Sequence, residues 1–339
     1  MGNKIFVTGA TGLVGGNLVR ELSARGEEVR VLVRRNSNAM AVDGLPGVEK
    51  VLGDITDKIS LQEAMEGCDR VYHCAADVRM WIVPMEQMRK INVEGTRNVL
   101  ETAREKGVNR VVHVSTVDAI GFSTPDGWGT REKPSNEDVP FQNERFAIPY
   151  MITKYEAQQV ALTMNKLGLE VVIVNPTYML GPWDVKPSSG AMIIEVAKGL
   201  AKGYTSGGNN FVHIKDVVSA MITAMEKGKP GELYILGNEN LSYKEIFTKT
   251  AKIVGVPTPK FKIPKIISLT AGFFGTLYGE LTGTEPNINH LTAAMGYVEH
   301  YFDSSKAVRE LNMPQTPIEV AIEDAYRWFL EHGYIKKRP

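Results

Sequence analysis

Lys4-Ile5-Phe6-Val7-Thr8-Gly9-Ala10-Thr11-Gly12-Leu13-Val14-Gly15-Gly16 is the stretch whose reading decides the fold. Its first five residues are a short apolar run of strand character that ends directly in a glycine-rich turn. Leu13, Leu18, Val19 and Leu22 then recur at helical spacing until Arg25-Gly26, and Val29-Arg30-Val31-Leu32-Val33 reads as a second buried strand. Strand, glycine turn, helix and strand in that order predict a dinucleotide site. Glycines at 9, 12 and 15 permit a tight turn, close approach of backbone to a pyrophosphate, and close packing of helix on sheet. The helix N-terminus adds free N–H donors and a positive dipole. Gly9, Thr11, Gly12, Leu13, Val14 and Gly15 are therefore the expected cofactor cradle.

Further strand-like runs at 48–52, 70–74, 110–114 and 170–174 alternate with helical ones at 61–66, at 85–106 and around Tyr150 and Lys154. That alternation predicts an α/β fold, a Rossmann-type doubly wound parallel sheet with a smaller C-terminal substrate lobe. The expected division is a dinucleotide-binding domain over 1–180, with strands returning near 211–240, and a mainly substrate-binding lobe over 181–339. Ligand groups in such a sheet gather at the carboxyl ends of the strands, where Asp54-Ile55, Ala75-Ala76, Ser115-Thr116 and Asn175-Pro176-Thr177 fall. The residue ending the second strand selects the dinucleotide, because a carboxylate there accepts from the ribose 2′-hydroxyl and repels a 2′-phosphate. This chain has Arg34-Arg35 instead, which favours NADP(H) with Arg34 as the phosphate partner and leaves NAD(H) as the alternative.

Composition agrees with one enzyme-sized unit: 339 residues, 43% of them hydrophobic, can bury a large core. Lysine plus arginine equals aspartate plus glutamate at 39 each, so no polyanion-binding surface and no nucleic-acid partner is expected. The six histidines are scattered, which argues against a metal site. Cys68 and Cys74 flank a strand-like segment and no signal peptide precedes the first strand, so a reduced cytoplasmic protein is expected.

Tyr150-Met-Ile-Thr-Lys154 places a phenol and an ammonium one helical turn apart, a pair able to move a proton to or from a carbonyl oxygen. The ammonium is expected to lower the phenol from its ordinary pKa of ~10.

With Thr8-Gly-Ala-Thr-Gly-Leu-Val-Gly15 at one end, the chain resembles the extended short-chain dehydrogenase/reductases over nearly its whole length. The resemblance runs in order through Gly53-Asp54-Ile55, His73-Cys-Ala-Ala76, Asn92-Val-Glu-Gly-Thr96, Ser115-Thr116, Tyr150-x-x-x-Lys154, Asn175-Pro-Thr177 and Phe211-Val-His-Ile-Lys-Asp216. Within that superfamily it is most similar to the branch of dihydroflavonol-4-reductase-like enzymes, 3β-hydroxysteroid dehydrogenases and hopanoid-associated sugar epimerase proteins. The resemblance implies that Tyr150 gives its proton to the substrate carbonyl while Lys154 holds the nicotinamide ribose, with Thr116 as the hydroxyl partner and Ser115 as its alternative. It also implies that Asp54 faces the adenine amino group, a turn-forming role being the alternative. Asn92 opens the long helix and orders groups behind the site, or acts as an N-cap. Family members often pair as homodimers through a four-helix interface built from the helices near Asn92 and Tyr150.

The expected activity is an NADP(H)-dependent interconversion of a ketone and a secondary alcohol on a hydrophobic or multi-ring small molecule. Nucleotide-sugar epimerases of the superfamily carry an arginine where this chain has Asn175, a neutral amide that cannot pair with phosphate charge. Lys186 and Lys215 keep an NAD-dependent nucleotide-sugar epimerase or dehydratase as the alternative reading. A third is a non-catalytic dinucleotide-sensing protein, although such proteins usually lose the tyrosine and lysine kept here. Residues 121–149 form a long irregular segment expected to cover the site. Met192–Tyr204, Ser242–Val254 and Ile263–Tyr278 are expected to build the lobe. Ile266–Tyr278 is the most apolar stretch, with Lys260, Lys262 and Lys265 before it. It is shorter than the ~20 residues a bilayer crossing needs. A buried lobe helix is the expectation, an interfacial patch the alternative, and exposure would imply a lipid-like substrate.

Overall fold

The computed structural model describes residues 4–80, 84–284, 286 and 288–336. Seven strands form its central sheet: β1 (Lys4–Thr8), β2 (Glu28–Val33), β3 (Val48–Leu52), β4 (Cys68–His73), β5 (Arg110–Val114), β6 (Glu170–Pro176) and β7 (Leu233–Leu236). Their order is β3-β2-β1-β4-β5-β6-β7 and every pairing is parallel. This is the doubly wound Rossmann arrangement, with the strand order reversing between β1 and β4. Both faces of the sheet are covered, so its central strands are continuous apolar runs such as Val171-Val172-Ile173-Val174, all fully buried. Strand parity divides the core. Ile5, Val7, Val112 and Val174 face helices α1 (Leu13–Ala24) and α5 (Ile214–Lys227). Phe6, Val71, Val111 and Ile173 face α2 (Lys58–Ala64), α3 (Gly95–Glu105) and α4 (Pro149–Lys166).

The helix expected over 85–106 is interrupted. Met85–Arg89 is α-helical, Lys90–Glu94 is a π turn, and α3 follows without a gap. A smaller sheet is built around Gly208–His213, which pairs with Tyr178–Leu180, Glu239–Ser242 and Glu299–His300. Asn210, fully buried on that central strand, locks its neighbours by donating to Asn240 Oδ1 (2.8 Å) and accepting from the Asn238 N–H (2.9 Å). Within the segment Met192–Tyr204 the helix is Ala191–Ala197, after which Gly199 turns the chain at φ +73° and Gly203–Tyr204 pairs with Phe261–Lys262. The free edge of β7 is partly closed by the half-buried Glu137, whose carboxylate accepts the Ile235 N–H at 2.8 Å.

The buried-helix reading of the apolar stretch is overturned. Helix α6 (Lys265–Thr282) turns Ser268, Gly272 and Gly279 inward and leaves Ile266, Ile267, Phe273, Phe274, Leu277, Tyr278 and Leu281 exposed. Its inner stripe is small, so α7 (His290–Met295) approaches closely: a Cβ on Gly272 would sit 2.6 Å from that of Ala293. The bulky residues have nowhere to go but outward. Among the described residues no helix is long and apolar enough to cross a membrane.

Candidate active site

The glycine turn is fixed by contacts that admit no side chain. Gly9 lies at φ +73°, and a Cβ there would be 2.6 Å from the Ala75 nitrogen at the end of β4. A Cβ on Gly15 would collide with the Gly9 carbonyl oxygen, so α1 sits directly on the turn. Gly12 opens α1 with no side-chain cap, which leaves the N–H groups of the first turn available to an anion. Thr8 stitches the floor together, its hydroxyl 2.7 Å from His73 Nδ1 and accepting from the Ala75 N–H at 3.3 Å. Thr11, Leu13 and Val14 stand half-buried on the turn and the start of α1, Ala75 and Ala76 half-buried beyond β4, and Arg34 exposed just past β2. These residues fit a dinucleotide: an uncapped helix start, a backbone cradle closed to a Cβ at Gly9 and Gly15, and a cation at the end of β2. Of the two roles for Asp54, the geometry shows the turn, since Oδ1 accepts from the Thr56 N–H (2.9 Å) and hydroxyl (2.8 Å). Ile55 is buried and packs against Gly95.

Beyond β5 the second half of the site assembles. Lys154 is 4% exposed and its Nζ donates to the Val114 carbonyl at 2.9 Å, while burial lowers its pKa to about 8. The Thr116 hydroxyl lies 3.3 Å from Asp118 Oδ2 and accepts from the Asp118 N–H at 3.2 Å, and it stands near enough to the Tyr150 phenol to favour its ionised form. The expected lowering of the phenol by Lys154 is not found. Burial pushes Tyr150 above the ordinary tyrosine value and the Asp118 carboxylate adds to the rise, opposed by Thr116. Lys154 spends a donor on a backbone carbonyl instead.

Asp118 and His300 escaped the sequence reading. Burial raises the Asp118 carboxyl to about 6, and its Oδ1 stands 3.3 Å from His300 Nε2. His300 is itself buried and held neutral, its pKa pushed down to about 3, with its ring centroid 3.6 Å from that of Phe122. Position alone could have flagged Asp118, two residues past Thr116; His300 arrives from the far end of the chain and carries no local signal.

Ser115, Asn175, Pro176 and Thr177 are all buried, and the side chains of Ser115, Asn175 and Thr177 are bonded within the protein. The Ser115 hydroxyl donates to Gln158 Oε1 (2.7 Å), which also accepts from Asn175 Nδ2 (2.8 Å). Asn175 donates in addition to the Thr116 carbonyl at 2.8 Å and is fully buried. Thr177 is buried and bonds the Leu236 carbonyl, and Pro176 is buried beside it. Asn175 thus holds the Thr116 backbone, and Gln158 links Asn175 to Ser115. Asn92 neither opens a helix nor caps one. It sits in the π turn, where its side chain accepts from the Asp77 N–H (2.7 Å) and donates to the Asp77 carbonyl (3.0 Å) and to Thr153 Oγ1 (3.0 Å). This ties the β4 exit loop to α4 next to Lys154. Lys215, offered above as a phosphate clamp, is paired with Asp324 at 2.7 Å.

Residues 121–149 contain one short 3-10 turn, Asn143–Phe146, and are pinned at several points. Asn143 donates to the carbonyls of Asp118 (3.0 Å) and Ile120 (2.7 Å), and Arg145 donates to those of Phe122 (2.6 Å) and Ser123 (2.7 Å). Phe122, Ile148, Met151 and Phe302 form an apolar cluster against which Tyr150, Leu291 and Met295 pack.

A Rossmann sheet with an open glycine cradle, facing a tyrosine and lysine on one helix, defines an NAD(P)-dependent enzyme of the extended short-chain dehydrogenase/reductase type. The family model for the NAD dependent epimerase/dehydratase family matches residues 5–237, and the chain belongs to that family. It is 38% identical to a putative dihydroflavonol 4-reductase of Synechocystis sp., over 99% of this chain and 97% of that protein. It is 36% identical to sterol demethylase protein B of Methylococcus capsulatus, over 97% of this chain and 99% of that protein. Among solved structures, dTDP-glucose 4,6-dehydratase from Streptomyces venezuelae, with NAD bound, superposes with a TM-score of 0.77 at 23% identity, covering 98% of this chain and 99% of that one. At that identity the likeness speaks for the fold.

Proposed function

We propose that this protein is an NADP(H)-dependent ketone/alcohol oxidoreductase acting on a hydrophobic or multi-ring small molecule. The observation that carries the reading is the Thr116 hydroxyl beside the Tyr150 phenol, with buried Lys154 one turn along the same helix and an apolar wall that includes Phe122, Ile148 and Met151. A nicotinamide dinucleotide supplies or accepts the hydride. Tyr150 gives its proton to the substrate carbonyl oxygen, and Thr116 donates a hydrogen bond to the same oxygen. Burial and the Asp118 carboxylate keep the phenol in its proton-carrying form, which suits reduction. Lys154 contributes positive charge behind the phenol and holds the nicotinamide ribose. Arg34, exposed at the end of β2, supports the 2′-phosphate preference. Asp54 keeps a proposed role at the adenine edge. The pairing of Lys215 and the burial of Asn175 speak against a diphosphate clamp, and the name of the sterol demethylase relative speaks for a multi-ring substrate.

Substitution of the phenol tests the reading. Tyr150→Phe is expected to lower turnover across a panel of apolar ketones by about 10²–10⁴-fold, with NADPH binding retained. Unchanged turnover would remove Tyr150 from the chemistry.

A further inference from the structure

Helix α6 inverts the ordinary pattern of a surface helix. A helix at the rim of a domain turns its bulky apolar side chains inward. Here Ile266, Ile267, Phe273, Phe274, Leu277, Tyr278 and Leu281 are between 41% and 78% exposed, and the inward stripe is serine and glycine. Burial against its own domain therefore does not account for their chemistry, and a contiguous apolar patch of this kind marks an interaction surface.

The charge around the patch points to its occupant. Residues 257–279 contain no aspartate or glutamate, and Lys260, Lys262 and Lys265 lead into the helix. The Lys260 N–H donates to the Lys202 carbonyl at 3.3 Å, and Phe261–Lys262 pairs with Gly203–Tyr204, which brings Lys202 and Lys198 alongside. Exposed Leu200 and Phe261 are interleaved with these lysines. Among the described residues none of the five takes part in a salt bridge, in a chain whose acidic and basic residues balance at 39 each. Lysine is depleted at protein–protein interfaces. It is enriched where an apolar helix face meets an anionic lipid surface, its stem lying along the apolar layer and its ammonium among the headgroups.

We propose that α6 docks this protein onto an anionic bilayer surface, its aromatic and aliphatic side chains entering the headgroup–acyl boundary and Lys198, Lys202, Lys260, Lys262 and Lys265 contacting lipid phosphates. The helix lies in the plane of the surface; it does not span it. Docking is coupled to the site through α7, whose Ala293 meets Gly272 of α6 while Leu291 and Met295 pack in the apolar cluster around Tyr150. Asn289, at the start of α7, donates to the carbonyl of Met80, a member of the same cluster. The wall of the site is thus one helix removed from the lipid surface, and an apolar ketone dissolved in the bilayer is the substrate class this position serves. That last step rests on the reductase reading above; the docking does not.

Vesicle co-sedimentation of the full chain tests the docking. The protein is expected to sediment with vesicles of equimolar phosphatidylglycerol and phosphatidylcholine and to be released by high salt. Phe273→Asp/Phe274→Asp and Lys260→Gln/Lys262→Gln/Lys265→Gln should each weaken sedimentation about tenfold or more. Both variants alter exposed residues, so turnover of a water-soluble ketone should match the unaltered protein, while turnover of a vesicle-dissolved ketone should fall. No sedimentation, or equal sedimentation with pure phosphatidylcholine, overturns the docking. Light scattering that shows a dimer converted to monomer by Phe273→Asp/Phe274→Asp, without vesicle binding, overturns it in favour of a second copy. Vesicle binding with no ketone turnover by any variant would sustain the docking and remove the reductase reading instead.

Discussion

Buried Lys154 places an ammonium where its charged form is disfavoured, and pH exposes the cost. Its folded value of about 8 lies below the ordinary lysine value, so between the two the folded state holds fewer protons than the unfolded one. The stabilising contribution is complete above the unfolded value and lost as pH falls through about 8. From pH ~8 to ~10 the protein should therefore gain thermal stability relative to a Lys154→Met variant; parallel melting curves in that interval would refute the assignment. Arg34 offers a second measurement. Reversing its charge with Arg34→Glu should weaken NADPH binding by about tenfold or more and spare NADH, and equal loss of both would deny it the phosphate. Tyr150, Lys154 and Thr116 were legible because one helical turn and one strand end fix their relations. Ser115 and Asn175 were not, because neighbouring strand residues point to opposite faces and only the finished sheet decides which face is the cleft.

The glycine turn and the strands around it match their sequence reading closely, β1, β3 and β5 to the residue, since β1 and β3 end at a glycine and β5 at the small polar pair Ser115-Thr116. The π turn at Lys90–Glu94 was invisible, because one extra residue in a turn barely disturbs an apolar period. It is nonetheless consequential, for it aims Asn92 at Asp77 and Thr153. Asn92→Ala should cost about 3 kcal/mol of folding stability by removing three buried hydrogen bonds, measurable by urea unfolding. A loss under about 0.5 kcal/mol would mean that water replaces the amide. Helix α6 misled for the opposite reason. Apolar content was taken as a sign of burial, yet the small inward stripe, not the bulky residues, sets which face meets the domain.

At the scale of the molecule, the doubly wound parallel character of the main sheet followed from alternating strands and helices, whereas the smaller sheet did not. Gly208–His213 draws partners from Tyr178–Leu180, Glu239–Ser242 and Glu299–His300, pairings so distant in sequence that no local pattern announces them. Lys260, Lys262 and Lys265 were visible before the apolar stretch, but only the pairing of Phe261–Lys262 with Gly203–Tyr204 brings Lys198 and Lys202 beside them. β7 joins β6 only after the chain has left the main sheet to lay down Tyr178–Leu180 and Gly208–His213. During synthesis from the N-terminus, the dinucleotide half therefore emerges with β6 as a bare edge, its backbone groups open to any passing strand until residues 233–236 appear. The vulnerable interval in the life of this protein is thus set by the ribosome's pace across roughly sixty residues.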